Sequence, residues 1–319
     1  MIEAMDHTIL VIGESLIDIV RGTREETRFL PGGSPLNVAV GLGRLGRHPR
    51  LATWFGTDEL GELITAHCEE SQVEILPGCD GAERTSTAEA TIDDDGHANY
   101  VFDIDWQMPP IRDTNPALIH TGSIAALMEP GATQVLELIE STSAFVTFDP
   151  NCRPTIMGSP DRVRALFERY VAASDVVKVS DEDLTWLYPE SATERGMVEQ
   201  CERWLAMGPD VVVLTQASLG AVALTHSETV RMPADTSRGL KDTVGAGDSF
   251  MAGLINGILR WGPEHNGIYA DQDVITEILA ESALISGVTV SRAGANPPWF
   301  SEIADDLIAC QEFSNRTRG

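Results

Sequence analysis

The segment Asp242-Thr243-Val244-Gly245-Ala246-Gly247-Asp248-Ser249-Phe250 carries the densest chemistry in the chain, because small residues run straight into an apolar helical pattern over 250–257. A helix that starts on Gly245, Ala246 and Gly247 leaves several backbone N–H groups free, with roughly half a positive charge at that end. Such a terminus holds phosphate without a lysine. Asp248 falls in the first turn. It either caps the helix, or it orients a hydroxyl and takes its proton as that hydroxyl attacks phosphorus. The segment alone leaves both roles open.

Pro31-Gly32-Gly33-Ser34-Pro35-Leu36-Asn37-Val38-Ala39 is the second such segment. Gly32 and Gly33 let backbone lie against a ligand, and Pro35 suits the first turn of a helix. Asn37, one turn in, offers both donor and acceptor. Amides and carboxylates that read hydroxyls are what a sugar site requires, and Asp18, shortly past the first strand candidate, is such a carboxylate. Arg153, in Phe148-Asp149-Pro150-Asn151-Cys152-Arg153-Pro154, either grips an anion or pairs with a surface carboxylate. Its place just past a core strand argues for the anion, since open α/β sheets bind ligands at strand C-termini. Cys152 beside it reads as a packed apolar thiol.

These segments need a scaffold. Apolar runs at 8–13, 51–55, 118–120, 144–148, 176–179 and 211–214 read as strands. Helical patterns lie between them, at 36–45, 60–71, 162–172 and 194–207. Continuous apolar strands separated by helices predict a mainly parallel sheet covered on both faces, a three-layer α/β/α core. Two stretches, 18–30 and 85–104, break the rhythm, and the second holds Asp93-Asp94-Asp95-Gly96 as a hairpin turn. They are expected to form one small antiparallel sheet, a lid, against a core made of 1–17, 31–84 and 105–319. After about residue 113 the α/β pattern reads as uninterrupted.

The chain has 319 residues, with 22 Lys plus Arg against 49 Asp plus Glu, a formal net charge of −27. That field repels nucleic-acid backbones and anionic lipid surfaces. No apolar run reaches the roughly 20 residues that span a bilayer, and the acidic Met1–Asp6 start is unlike a signal peptide. Five scattered cysteines suggest neither disulfides nor zinc. The expectation is a cytoplasmic enzyme of small molecules, with no nucleic-acid or membrane partner.

Several nucleotide motifs are excluded. Gly41-Leu42-Gly43-Arg44-Leu45-Gly46 matches G-x-G-x-x-G, but it sits in and after a helical pattern rather than between strand and helix. Lys178 and Lys241 are the chain's lysines, and neither completes a P-loop or a protein-kinase motif. A phosphoryl transferase of this sequence is therefore expected to hold phosphate with backbone, Mg²⁺ and arginine.

The 31–39 and 242–250 segments, in this order and separation, resemble the two signatures of the ribokinase-like (PfkB) carbohydrate kinases, over essentially the whole chain. Phe55-Gly56-Thr57-Asp58-Glu59-Leu60-Gly61 resembles the family's G-x-D-x-x-G turn, and His120-Thr121-Gly122-Ser123 its mid-chain strand end. Asp149–Arg153 is similar to the D-P-N-x-R run of fructokinases and 2-keto-3-deoxygluconate kinases.

The resemblance implies a β lid over a sugar site and an ATP site with Mg²⁺. It matches Asp248 to the catalytic base and Gly245, Ala246 and Gly247 to an anion hole. Asp18, Gly32, Gly33 and Asn37 match sugar-contacting positions, and Thr215 and Gly220 the nucleotide site. A monovalent cation, K⁺ in many members, would sit near Asp242 and Thr243. Where the family has N-x-x-E beside the metal and phosphates, this chain has Ser180 and Asp183, and Ala217 stands where glycine is common. The implied reaction is ATP-dependent phosphorylation of a primary hydroxyl, of fructose first, with 2-keto-3-deoxygluconate and ribose as alternatives. A homodimer through the lid is a further implication. A catalytically silent sugar-binding protein on the same fold is the competing class, and an intact Asp248 argues against it.

Overall fold

The computed structural model describes residues 8–21, 27–92, 98–112, 115–262 and 271–317. The first half of the chain runs β1 (Ile9–Ile12), β2 (Leu16–Arg21), β3 (Arg28–Gly32), α1 (Ser34–Arg44), β4 (Arg50–Ala52), α2 (Glu59–Glu70), β5 (Glu74–Ile75), β6 (Thr87–Ile92), β7 (Ala98–Asp103), β8 (Leu118–Gly122), α3 (Gly131–Ser141) and β9 (Phe145–Asp149). The second half continues α4 (Pro154–Met157), α5 (Pro160–Ala172), β10 (Val176–Ser180), α6 (Asp181–Leu187), α7 (Glu194–Leu205), β11 (Val211–Thr215), β12 (Ala221–Thr225), β13 (Thr229–Met232), α8 (Ala246–Trp261), α9 (Gln272–Val290) and α10 (Phe300–Thr317).

Among the described residues the large sheet has nine strands, ordered β13-β12-β11-β10-β9-β8-β1-β4-β5. Seven of them pair in parallel, from β5 through β11. β1 and β8, well inside the sheet, are buried at every residue, so both faces are covered there. The α/β rhythm is not uninterrupted after residue 113, however. β12 and β13 add to the edge as an antiparallel meander. His226, Ser227 and Glu228 connect them, too short a link for a parallel crossover.

The two interrupting stretches do join in one sheet, ordered β3-β2-β6-β7. It is mixed rather than antiparallel, since β2 pairs in parallel with β6. β2 and β3 also reach Leu16 and Gly32, two residues beyond the expected lid boundary at each end. The Asp93–Gly96 turn lies outside the described residues.

The glycines of 41–46 serve packing. A Cβ on Gly41 would lie 2.7 Å from the Ala252 Cβ of α8, one on Gly43 would strike the Ser71 carbonyl, and Gly46 takes a φ of 81° after α1 ends. That close approach seats α1 against α8 and brings Asn37 to the start of α8.

Candidate active site

One cavity of about 960 Å³ opens over the C-terminal ends of β1, β8, β9, β10 and β11, with Leu16, Asp18, Ala88 and Phe102 of the small sheet on one wall. This is where a doubly wound sheet leaves room for ligands. Asp18, Gly33, Asn37, Arg153, Ser180, Asp183, Thr215, Gly220, Thr243, Gly245, Ala246, Gly247 and Asp248 all line it. Gly32 does not, but a Cβ there would strike the Asp18 carboxylate. Asp242 also stands outside. Its carboxylate accepts from Gly294 N–H (2.8 Å) and Val244 N–H (3.1 Å), and the Gly294 bond foremost holds it below the usual carboxylate range.

Asp248 is buried, at 7% exposure, in the first turn of α8. It is not the helix cap. Gly245 holds that position with φ 76°, and no side chain caps this terminus. The Asp248 carboxylate turns away from the helix instead. Its Oδ1 accepts from Ser34 Oγ (2.7 Å) and Asn151 Nδ2 (3.1 Å), and its Oδ2 accepts from Asn37 Nδ2 (2.8 Å). Three donors from outside α8 hold a carboxylate that does not cap its own helix, while Ala246 N–H there donates to Thr243 O (3.2 Å).

The two loop glycines differ in cause. A Cβ on Gly245 would lie 2.6 Å from Ala295 Cβ, and φ there is in the left-handed region, so the backbone itself demands glycine. Gly247 is exposed with an ordinary φ, and a Cβ would meet Lys178 Nζ at 3.5 Å and Cε at 4.0 Å. Nothing in the fold requires glycine at 247. The space its missing side chain leaves faces the cavity.

Lys178, left out of the expected phosphate contacts, lines the same cavity. It is the middle residue of β10, is 3% exposed, and its Nζ lies 2.8 Å from Asp149 Oδ2 on the neighbouring strand. Burial works against its charge, but the Asp149, Asp183 and Asp248 carboxylates outweigh that and raise its pKa. An ammonium therefore stands beside the N-terminus of α8. The signal was present in the sequence: a single lysine inside Val176-Val177-Lys178-Val179, flanked only by apolar residues.

The nucleotide-side residues are built into local turns. Asp183 Oδ2 accepts from Ser180 Oγ (2.7 Å) and Ser180 N–H (3.3 Å) in a capping box, and its Oδ1 accepts from Cys152 N–H (2.8 Å). The Asp183 carboxylate is thus tied to its own helix cap. Thr215 ends β11, and Gly220 takes φ 99° where a Cβ would strike the Met232 carbonyl. Ala217, in place of glycine, is held at φ 44°. Arg153 folds onto its own loop, where Nη1 donates to Asn151 Oδ1 (2.6 Å), Cys152 O (3.0 Å) and Asn151 O (3.1 Å). Cys152 is buried, and burial pushes its thiol far up.

Two further groups were not singled out from the sequence. Glu14, at the end of β1, is 2% exposed, lines the cavity and accepts from Ala125 N–H (3.0 Å). Burial pushes its carboxyl up to about 7. Asp18 is raised to about 6 by the same cause, with Arg153 opposing. Asn151 joins Asp248, Ser34 and Arg153.

A carboxylate beside an open helix N-terminus, backed by an ammonium at the strand ends of an α/β sandwich, makes this a phosphotransferase cleft. Residues 6–300 match the pattern of the pfkB family carbohydrate kinases, and the chain belongs to that family. It is 30% identical over 274 residues to a fructokinase of Klebsiella pneumoniae, covering 82% of this chain and 88% of that one. The fold is that of a fructokinase with bound ATP from Xylella fastidiosa, with a TM-score of 0.78 at 22% identity over 96% of this chain and 99% of the other. A fructokinase double mutant from Vibrio cholerae O395 in its fructose-, ADP- and potassium-bound form aligns with a TM-score of 0.73 at 22% identity, over 91% and 94%. The enzyme class is that of a kinase with an alcohol acceptor. Among the described residues no helix is long and apolar enough to cross a membrane.

Proposed function

We propose that this carbohydrate kinase transfers the γ-phosphoryl group of ATP to a primary hydroxyl of fructose, with Asp248 as the base. The observation that carries the reading is the Asp248 carboxylate itself, held by Ser34, Asn37 and Asn151 beside a helix terminus that no side chain caps. The sugar O–H bond breaks as its proton passes to Asp248, the oxygen's electron pair forms the new bond to phosphorus, and ADP leaves with the electrons of the β–γ bridge. Gly245, Ala246 and Gly247 N–H groups stabilise charge on the transferring phosphoryl. Lys178 adds a buried positive charge beside them. Thr215 and Gly220 serve the nucleotide side, Arg153 the phosphate side, and Gly32, Gly33 and Asn37 the sugar side. Mg²⁺ bound with the triphosphate would neutralise part of its charge. Ser180 and Asp183 are this chain's side chains on offer there, and water links suit them because Asp183 already accepts three hydrogen bonds. Asp242 and Thr243 are proposed for the monovalent cation, with Asp242 kept ionised by its backbone donors.

The sugar end of the cavity supports a neutral ketose over an acid sugar. Glu14 and Asp18 both line it, and the Arg153 guanidinium is engaged by its own loop. The small sheet would act as a lid that excludes water from the transfer. Phe29 and Leu30, exposed on its edge strand β3, suit pairing of two such sheets in a cytoplasmic homodimer. The test is an ADP-release assay across fructose, other ketoses, ribose and 2-keto-3-deoxygluconate, run for wild type and Asp248→Asn. The substitution is expected to lower kcat by roughly 10²–10⁴ with little change in sugar or ATP affinity. Near-normal turnover would remove Asp248 from the mechanism.

A further inference from the structure

Asn151 follows β9 with a φ of 37°, the left-handed region that glycine enters freely and an L side chain resists. Asparagine is among the L residues that enter this region most readily, and here its side chain is put to use as well. Every hydrogen-bonding atom of that amide is engaged. Nδ2 donates to Ser34 Oγ (2.7 Å) and to Asp248 Oδ1 (3.1 Å), while Oδ1 accepts from Arg153 Nη1 (2.6 Å). The backbone N–H donates to Asp149 Oδ1 (3.2 Å), the carboxylate paired with Lys178. One residue therefore touches the base, the start of α1 and the arginine of its own loop.

The geometry points to Asn151 as a positioning residue that decides which oxygen of Asp248 takes the sugar proton and locks Arg153 into the same frame. The inference rests on Asp248 being the base. Oδ1 carries two donors, from Ser34 and Asn151, whereas Oδ2 carries one, from Asn37. The less loaded Oδ2 is then the acceptor of the hydroxyl proton. Without the amide, Oδ1 loses a donor, Ser34 loses the partner that orients its hydroxyl, and the carboxylate is free to rotate. A carboxylate with fewer donors also holds a proton more tightly. Of the other charged groups around Asp248, Lys178 on β10, Asp149 on β9 and Asp183 on α6 keep their own partners when 151 is substituted, whereas Arg153 loses its amide acceptor.

Asn151→Gly tests this because it keeps the backbone and removes only the amide. The expected result is unchanged or raised thermal stability, unchanged fructose affinity, and a kcat lowered roughly 10- to 100-fold, as a misplaced group costs. The acid limb of the kcat–pH profile should move up by about one unit, the worth of one hydrogen bond to a charged group. Asn151→Asp is the second variant. It keeps an acceptor for Arg153 but turns a carboxylate oxygen toward Asp248, so it should be slower than Asn151→Gly. Turnover within threefold of wild type in either variant, or an unmoved acid limb, overturns the proposal. Asp248→Asn is measured alongside. If it retains activity the base reading fails first, whereas its loss beside a fully active Asn151→Gly sinks the Asn151 proposal alone.

Discussion

Gly245 and Gly247 sit two residues apart in one loop, and the structure gives their substitution opposite outcomes. At Gly247 a Cβ meets only the Lys178 side chain, at 3.5 and 4.0 Å, ordinary contact distances. Gly247→Ala should therefore fold at least as well as wild type, and removing a helical glycine raises stability by about 0.5–1 kcal/mol. On the proposed mechanism that same Cβ would occupy the space where phosphate approaches the N–H groups. Losing one such donor costs about 10²–10³ in kcat, or about 2.7–4 kcal/mol of transition-state stabilisation. Gly247→Val, with its branch at Cβ, should abolish transfer while the protein still binds sugar. Gly245→Ala should instead destabilise the fold. A left-handed φ costs an L residue about 1–2 kcal/mol, and a Cβ placed 2.6 Å from Ala295 adds about 1–3 kcal/mol of overpacking. Thermal unfolding, fructose affinity by calorimetry and ADP release measure all three variants. Turnover of Gly247→Ala within threefold of wild type would mean that phosphate does not lie against residue 247, and the anion hole would have to be sought elsewhere.

Lys178→Met should cut kcat by about 10² or more and destabilise by about 3–5 kcal/mol, because Asp149 is left buried and unpaired. Adding Asp149→Asn should recover most of the stability but not the turnover; a double variant of near-normal activity would assign Lys178 to structure alone. Lys241→Ala, on an exposed residue, should leave kcat within a few-fold in the same ADP-release assay. Ala217→Gly should raise stability in denaturant melts by up to about 1 kcal/mol, since φ 44° suits glycine better. Glu14, raised by burial from 4.5 to about 7, is protonated in the folded chain at pH values where the unfolded chain has lost the proton. Stability from this group is thus complete below pH 4.5 and falls as pH rises toward 7, by up to about 3 kcal/mol. Glu14→Gln should flatten that decline in melts taken between pH 4.5 and 8.

What the sequence reveals and what it hides divide along contact distance. The start of α8 is legible because its glycines, its aspartate and its apolar face lie within one run of residues, and helix termini impose their chemistry locally. The parallel strands are legible for the same reason, as short buried runs dominated by apolar residues. Ser34, Asn151 and Lys178 act on Asp248 and the α8 terminus from distant parts of the chain. Asn151 is 97 residues from Asp248, and Ser34 is 214. Their convergence depends on strand order. β10 pairs with β9 in a register that sets Val177 opposite Phe148, so Lys178 falls beside Asp149. No spacing within either strand encodes that partner. A charged residue in an apolar strand does encode that a partner exists, because an unpaired buried ammonium would lose its charge or unfold the strand. Asp149, closing β9, and Lys178, inside the apolar run of β10, are therefore readable as a pair in search of each other. Asn151 is harder to see. Asparagine after a strand reads as a turn former, and only its left-handed backbone, joined to three side-chain hydrogen bonds, separates a residue kept for its amide from one kept for its turn.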